Sequence, residues 1–351
     1  YDHTIRQIMF GTDLPLTAEN ETQLLYILHG DGSVESEYVG DPQNNDGLGK
    51  VLRVDPLKGL TLSQALTVKS LNGNHLAWGQ YDTPGNPFMP SLSVDIEAFQ
   101  PTVPQPMEDP MQPLPSDGVP TETFAVGFRN GHTMTFAKDG TLIVVDAGRD
   151  SFEEVNVVEK GGNYGWAHRE GHYKHISVID DEIYHMFYSA SPLTDEDHCP
   201  ECNFHYPAVD VGHVGYEGMK FNGVALAGGH IVDNDSEVGR GGEQGGKFFY
   251  IDFPWTGECF YSYVDDMANA TTTGPASTLT TAPMYRTFFE TADGKLHANL
   301  RTVVFANNPA AIDATTRLDV RIGKDAKGTM YMSSKETGVV YRIDNSLAPA
   351  S

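Results

Sequence analysis

Apolar residues in this chain come in short runs. Leu24-Leu25-Tyr26-Ile27-Leu28, Thr141 to Val145, Lys247 to Phe253 and Val339 to Ile343 are rich in β-branched and aromatic side chains and end at glycine or aspartate, the pattern of strands closed by turns. One order recurs: an apolar run, an Asp-Gly-type turn, a second run, a loop, then a third strand. It appears from Phe136 to Val145 around Asp139-Gly140 and continues with Glu154 to Val158. It returns from Val320 to Met332 around Asp325-Ala326-Lys327-Gly328 and continues with Gly338 to Ile343. A third copy, from Ile8 to Asp13 and Leu24 to Leu28, carries a polar insertion from Leu14 to Gln23 in its turn, with Gly49 to Val54 as the next strand. Repeated small antiparallel sheets of this kind predict an all-β fold built as a propeller, which removes exposed sheet edges by radial closure.

Composition sharpens this picture. The 36 glycines and 21 prolines among 351 residues make the chain turn-dense, and ten of those prolines fall between Asp82 and Pro120, which reads as a loop or arm set on the propeller. Lysine and arginine total 23 against 48 acidic residues, a formal charge of −25. That charge repels phosphate backbones and anionic membranes, so it argues against nucleic-acid partners and against docking to anionic membranes. No apolar run is long enough for a spanning helix, and Tyr1-Asp2-His3-Thr4 resembles neither a start methionine nor a signal peptide.

The densest constellation runs from Gly127 to Trp166. It holds Gly127-Phe128-Arg129-Asn130, Lys138 to Leu142, Asp146-Ala147-Gly148, Glu153 to Asn156 and Gly161-Gly162-Asn163-Tyr164-Gly165-Trp166. In order and spacing these motifs resemble the glucose/sorbosone dehydrogenase family, six-bladed propellers that include soluble quinoprotein sugar dehydrogenases using pyrroloquinoline quinone. Arg317 to Arg321, with Gly328 to Tyr331 and Val340 to Ile343, resembles the family's last blade, and His3 with Gln7, Phe10 and His29-Gly30-Asp31-Gly32 resembles its catalytic-histidine strand. This chain is then expected to supply four to five of six blades.

The resemblance implies a sugar or polyol dehydrogenase. His3 would be the general base that takes the proton of the substrate hydroxyl, and Asp31 would hold its imidazole in the tautomer that faces the substrate. Arg129 and Asn130 would contact the quinone, and Arg317 would grip its carboxylates. The carbonyls of Gly148 and Arg149 would bind a calcium ion at the cofactor, and Glu154 with Tyr164 a second, structural calcium. Four positions depart from the family's pattern: Arg149 and Ala167 replace prolines, Gly131 replaces the proline after Asn130, and Asp319 replaces a second arginine beside Arg317. Arg149, Asp319 and the insertion in the His3 strand hairpin favour the other reading, a non-catalytic extracellular propeller serving as a structural or binding module, while His3, Asp31, Arg129 and Asn130 together favour the enzyme. One to two blades precede the histidine in the family, so a missing N-terminal segment or a partner chain is expected to complete the ring.

His198-Cys199-Pro200-Glu201-Cys202-Asn203-Phe204-His205 reads either as a zinc site or, more simply, as a local disulfide, with Cys259 pairing outside the visible sequence. Sequons at Asn20, Asn234 and Asn269 lie in polar, turn-like segments and suit a secreted glycoprotein.

Overall fold

A computed structural model describes residues 3–11, 24–32, 48–56, 86–87, 122–149, 151–179, 186–213, 225–232, 246–310 and 316–343, without the side chains of 175–179 and 186–190. The insertion from Leu14 to Gln23, the sequons at Asn20 and Asn234, and all of the proline-rich segment except Asn86 and Pro87 lie outside these residues. Asn86 itself is buried and bonded on both sides of its amide to Arg53, accepting from Nε at 2.7 Å and donating to the carbonyl at 2.8 Å. At that point the segment is tied to the fold rather than running over its surface.

Four blade-like sheets follow one another. The first pairs β1 (Ile5–Gly11), β2 (Leu24–His29), β3 (Lys50–Val54) and β4 (Thr123–Val126) in order. The second runs β5 (Gly131–Phe136), β6 (Leu142–Asp146), β7 (Phe152–Val158) and then β11 (Val209–Gly212), which returns to pair with β7 after an excursion. That excursion is a separate sheet of β8 (Arg169–Glu170), β9 (Tyr173–Ile179) and β10 (Met186–Pro192). The third sheet contains β12 (Leu226–Val232), β13 (Lys247–Asp252), β14 (Cys259–Tyr263) and β15 (Tyr285–Arg286). A small hairpin of β16 (Phe289–Glu290) and β17 (Leu296–His297) precedes the fourth, formed by β18 (Val320–Lys324), β19 (Met330–Ser334) and β20 (Val339–Arg342). The apolar runs of the sequence thus become β2, β6, β13 and β20, displaced by at most one residue at either end.

The first strand of each sheet touches the first strand of the next: β1 meets β5, β5 meets β12, and β12 meets β18. Side chains bond across each of these seams. Gln7 Oε1 accepts the Met134 N–H at 2.7 Å, Thr133 Oγ1 accepts the Gly228 N–H at 2.8 Å, and His230 Nε2 lies 3.2 Å from the Ile322 carbonyl. Inner strands meeting serially in this way define a propeller-type arrangement.

Between sheets the fill is aromatic and aliphatic. Tyr26 is fully buried, edge-on to both Phe124 and Phe136, and Leu28, Met134 and Val144 share its layer. The same alternation turns Ile8 and Phe10 to the other face of the first sheet, where they are 56% and 55% exposed, and Ile27 pairs with Ile8 beside them. A sheet apolar on both faces is the pattern of one covered on both sides. Among the described residues two α-helices, α1 (Val264–Ala268) and α2 (Leu300–Asn307), lie outside the sheets, and Asn299 caps α2 by accepting from the Thr302 N–H at 3.0 Å. No helix among the described residues is long and apolar enough to cross a membrane.

Cys199 and Cys202 form a disulfide, so their sulfurs are not available to zinc. Cys259 is a thiol on β14, 1% exposed, packed with Ile251, Leu318, Val320 and Met330 between the third and fourth sheets. Burial pushes its ionisation up to about 12. Within this chain Cys259 is therefore an unbonded thiol enclosed on that seam.

Candidate functional site

The inner strands open onto a mouth where loops 29–32, 127–130 and 147–149 meet. Gly30 is what lets them meet: a Cβ there would lie 2.9 Å from the His3 Cβ, 3.0 Å from the His3 carbonyl and 3.1 Å from the Arg129 carbonyl. The main chain then links these loops and His3, with Ala147 N–H donating to the Asn130 carbonyl at 3.2 Å. Asp31 N–H donates to the Arg129 carbonyl at 2.7 Å, and Gly32 N–H donates to the His3 carbonyl at 2.9 Å.

On this frame His3 and Asp31 form a close pair, Nδ1 to Oδ1 at 2.6 Å, with the carboxylate almost wholly buried and the imidazole 12% exposed. Because a carboxylate only accepts, Nδ1 carries the shared proton and Nε2 is left as the basic nitrogen. The other carboxylate oxygen is occupied as well: the Trp166 indole N–H donates to Oδ2 at 2.9 Å.

Arg129 comes next. Its guanidinium lies 5.5 Å from the Trp166 ring centroid and donates through Nη1 to the carbonyls of Ala147 and Gly148 at 3.1 and 2.7 Å. Its Nε is buried and has no acceptor among the described residues. Asp146 fixes the Arg129-Asn130 turn by accepting both backbone N–H groups, at 2.8 and 2.7 Å. Burial raises that carboxyl to about 7, against the pull of those two amides and of the Arg129 charge. Asn130 accepts from Arg6 Nε at 3.1 Å, which ties β1 to the same mouth.

Along the inner strands from there, His132 is packed on Phe253, with Arg321 on the same phenyl ring. Burial, Arg321 and Arg6 together press the imidazole down to about 3, so it is neutral. Arg317 is spent differently: its guanidinium is held on Asp319 at 2.9 to 3.0 Å and is about half exposed. The structure therefore brings His3, Asp31, Arg129 and Asn130 together, and leaves Arg317 on its own neighbour.

The proposed metal positions look different. Gly148 O already receives a guanidinium N–H, and Arg149 meets the acidic side of its loop through its backbone N–H, which donates to Glu170 Oε1 at 2.7 Å. Glu154 is buried, accepting from Asn156 Nδ2 at 3.0 Å and from the Gly171 N–H at 2.6 Å, and burial with Asp146 nearby raises its carboxyl well above the usual range. Tyr164 is bonded instead to the main chain at the end of β7, donating to the Val157 carbonyl and accepting from the Glu159 N–H, both at 2.8 Å. Burial raises its phenol, so it stays protonated. Among the described residues no three His, Cys, Asp or Glu side chains are grouped to hold a metal. The donor set fits an oxygen-rich anionic cofactor, which would take up Arg129 Nε. It does not fit a calcium ion on Gly148 O, where a guanidinium stands.

Two residues of this site were not among the candidates read from the sequence. Asp146 anchors a turn from the far end of β6, and Trp166 closes the Gly161 to Trp166 motif, in which only Tyr164 was a candidate. The one signal available was an indole in a motif otherwise made of turn residues.

A propeller-type fold whose inner mouth holds a histidine–carboxylate pair beside an arginine defines the class. The family model for glucose / sorbosone dehydrogenase matches residues 104–189, the stretch that contains Arg129, Asp146 and Trp166, so the family resemblance is shown there. Among curated proteins, the HIPL1 protein of Arabidopsis thaliana is 28% identical over 173 residues, 48% of this chain and 19% of its own length. Quinoprotein glucose dehydrogenase B of Acinetobacter calcoaceticus is 36% identical over 56 residues, 16% of this chain and 12% of its own. The matched part of this chain thus spans about a fifth or less of these relatives. Among solved structures, the aldose sugar dehydrogenase of Streptomyces coelicolor in its PQQ-bound form superposes with a TM-score of 0.43 at 14% identity, covering 96% of this chain and 57% of the other. The soluble aldose sugar dehydrogenase of Escherichia coli gives 0.45 at 15% identity, covering 91% and 60%.

Proposed function

We propose that this chain carries the catalytic mouth of a pyrroloquinoline-quinone-dependent oxidoreductase that oxidises a sugar or polyol hydroxyl and passes the electrons to a separate acceptor. The observation that carries this reading is the His3–Asp31 pair at 2.6 Å, Nδ1 to Oδ1, with the carboxylate almost wholly buried. His3 accepts the hydroxyl proton as the adjacent C–H bond releases hydride. Asp31 stabilises the imidazolium that results and fixes which nitrogen reacts. Arg129, with Asn130 beside it, would hold the cofactor's oxygens, and Arg317 would reach its carboxylates only by leaving Asp319. Pyrroloquinoline quinone, when bound, supplies the two-electron hydride acceptor. No step is assigned to calcium at Gly148 and Arg149, or at Glu154 and Tyr164.

The protein is further read as secreted and glycosylated. Asn269 is exposed just after α1, where its amide donates to the Asp265 carbonyl at 2.8 Å. The partner expected is a further sheet lying over Ile8 and Phe10, from a preceding segment or another chain.

The test is oxidation of a panel of aldoses and polyols by chain supplied with pyrroloquinoline quinone and an artificial acceptor. Turnover that His3→Asn abolishes supports the reading. A second reading, a non-catalytic module, is favoured by the Arg129 guanidinium on Gly148 O. It prevails if the chain binds no quinone and turns over none of the panel.

A further inference from the structure

We propose that Trp166 is a positioning residue for the His3–Asp31 base, an inference that rests on the functional reading above. A carboxylate that orients an imidazole must itself be kept from rotating. Here one oxygen faces His3 Nδ1 at 2.6 Å and the other receives the indole N–H at 2.9 Å, so the plane of the carboxylate is fixed from both ends. The main-chain bond from Asp31 N–H to the Arg129 carbonyl fixes its root.

The turn that delivers the indole is built for that placement. Tyr164 N–H donates to the Val126 carbonyl at 2.9 Å and Trp166 N–H to the Gly127 carbonyl at 3.1 Å, so the motif is laid along the strand that leads to Arg129. Gly127 permits this approach, because a Cβ there would stand 2.6 Å from Asn163 Oδ1 and from Gly165 N. Asn163 clamps the turn from the other side: its Oδ1 accepts the Gly165 N–H at 3.0 Å and its Nδ2 donates to the Cys202 carbonyl at 3.2 Å. A chain of hydrogen bonds therefore runs from the disulfide loop through Asn163 and the Gly165-Trp166 turn to Asp31 and His3. The indole is 5% exposed, so its N–H has no water to turn to when Asp31 moves. Phenylalanine has the volume to preserve the packing and lacks the donor, which separates the two roles of the side chain.

The experiment pairs Trp166→Phe with wild type in two readouts. Ring nitrogen chemical shifts of His3 report its tautomer without any cofactor or substrate. Wild type is expected as the Nδ1–H form, and Trp166→Phe as a mixture. In turnover, Trp166→Phe is expected to lose about tenfold to a hundredfold in kcat with KM changed by less than about twofold, the range for outer partners that orient a functional imidazole. Should Trp166→Phe fail to fold, exchange of the Trp166 indole proton is compared in wild type and Asp31→Ala, where slow exchange should become fast. An unchanged His3 tautomer in folded Trp166→Phe, or equal indole exchange in Asp31→Ala, overturns the assignment. The failure of the base reading is distinct: it appears as full activity in His3→Asn, whatever Trp166 does.

Discussion

The two sides of the mouth are built on different principles. On one side the polar contacts converge on an imidazole: Asp31 faces His3 and Trp166, and Gly30 lets the main chain of His3 and Arg129 come close. On the other, the loop at 147–149 turns its carbonyls toward a cation that the chain supplies itself, the Arg129 guanidinium. The resemblance placed a calcium ion there. A guanidinium satisfies two carbonyls by hydrogen bonds along fixed directions, whereas calcium needs six to eight oxygens. One side of the mouth is thus held by pairing between side chains, and the other by a guanidinium on main-chain carbonyls.

The contrast yields predictions of decreasing size. His3→Asn should lower kcat by about 10²- to 10⁴-fold, the usual worth of a general base, measured in the reconstituted assay. Replacement of Arg129 should change the other side of the mouth in kind. Wild type is expected to show no shift in melting temperature on adding calcium or chelator, while Arg129→Ala, which leaves the Ala147 and Gly148 carbonyls without their guanidinium, should lose about 1 to 3 kcal/mol in denaturant unfolding. A calcium-dependent melting temperature in wild type, or an unchanged stability in Arg129→Ala, breaks the contrast. Replacing Cys199 and Cys202 by serine should cost about 2 kcal/mol in denaturant unfolding, the chain-entropy value for so short a loop.

His132 gives the pH dependence. Its ordinary value is 6.5 and its folded value about 3, so below 6.5 the unfolded chain takes up a proton that the folded one refuses. Its contribution to stability is constant above 6.5 and lost as pH falls toward 3. His132→Gln should therefore lose stability less steeply than wild type across that window, read from unfolding midpoints at several pH values; parallel curves would contradict the burial of this imidazole. Smallest is Phe10→Ser, which should change the stability of this chain alone by no more than about 0.5 kcal/mol, because Phe10 is exposed. A larger loss in the presence of a partner would identify what covers that face.

Much of the fold was legible because it is local. Strand periodicity and Asp-Gly turns located β2, β6, β13 and β20, and the repeat of their order gave the propeller. His3 and Asp31 were legible as a pair only through resemblance, since 28 positions separate them. What could not be read were contacts that depend on which donor reaches an acceptor first in three dimensions. Trp166 meets Asp31 across 135 positions, and no spacing rule connects them. Arg129 was read as a cofactor ligand and Gly148 as a metal ligand, from neighbouring motifs, yet the two bond to each other. Cys259 was legible as an odd cysteine, but its burial between two sheets depends on the packing of residues from both.

The most direct test is calorimetric titration of this chain with pyrroloquinoline quinone in the presence of a calcium chelator. The account predicts binding of one molecule per chain, unaffected by the chelator and lost in Arg129→Ala. No binding at all, or binding that appears only when calcium is restored, would contradict it.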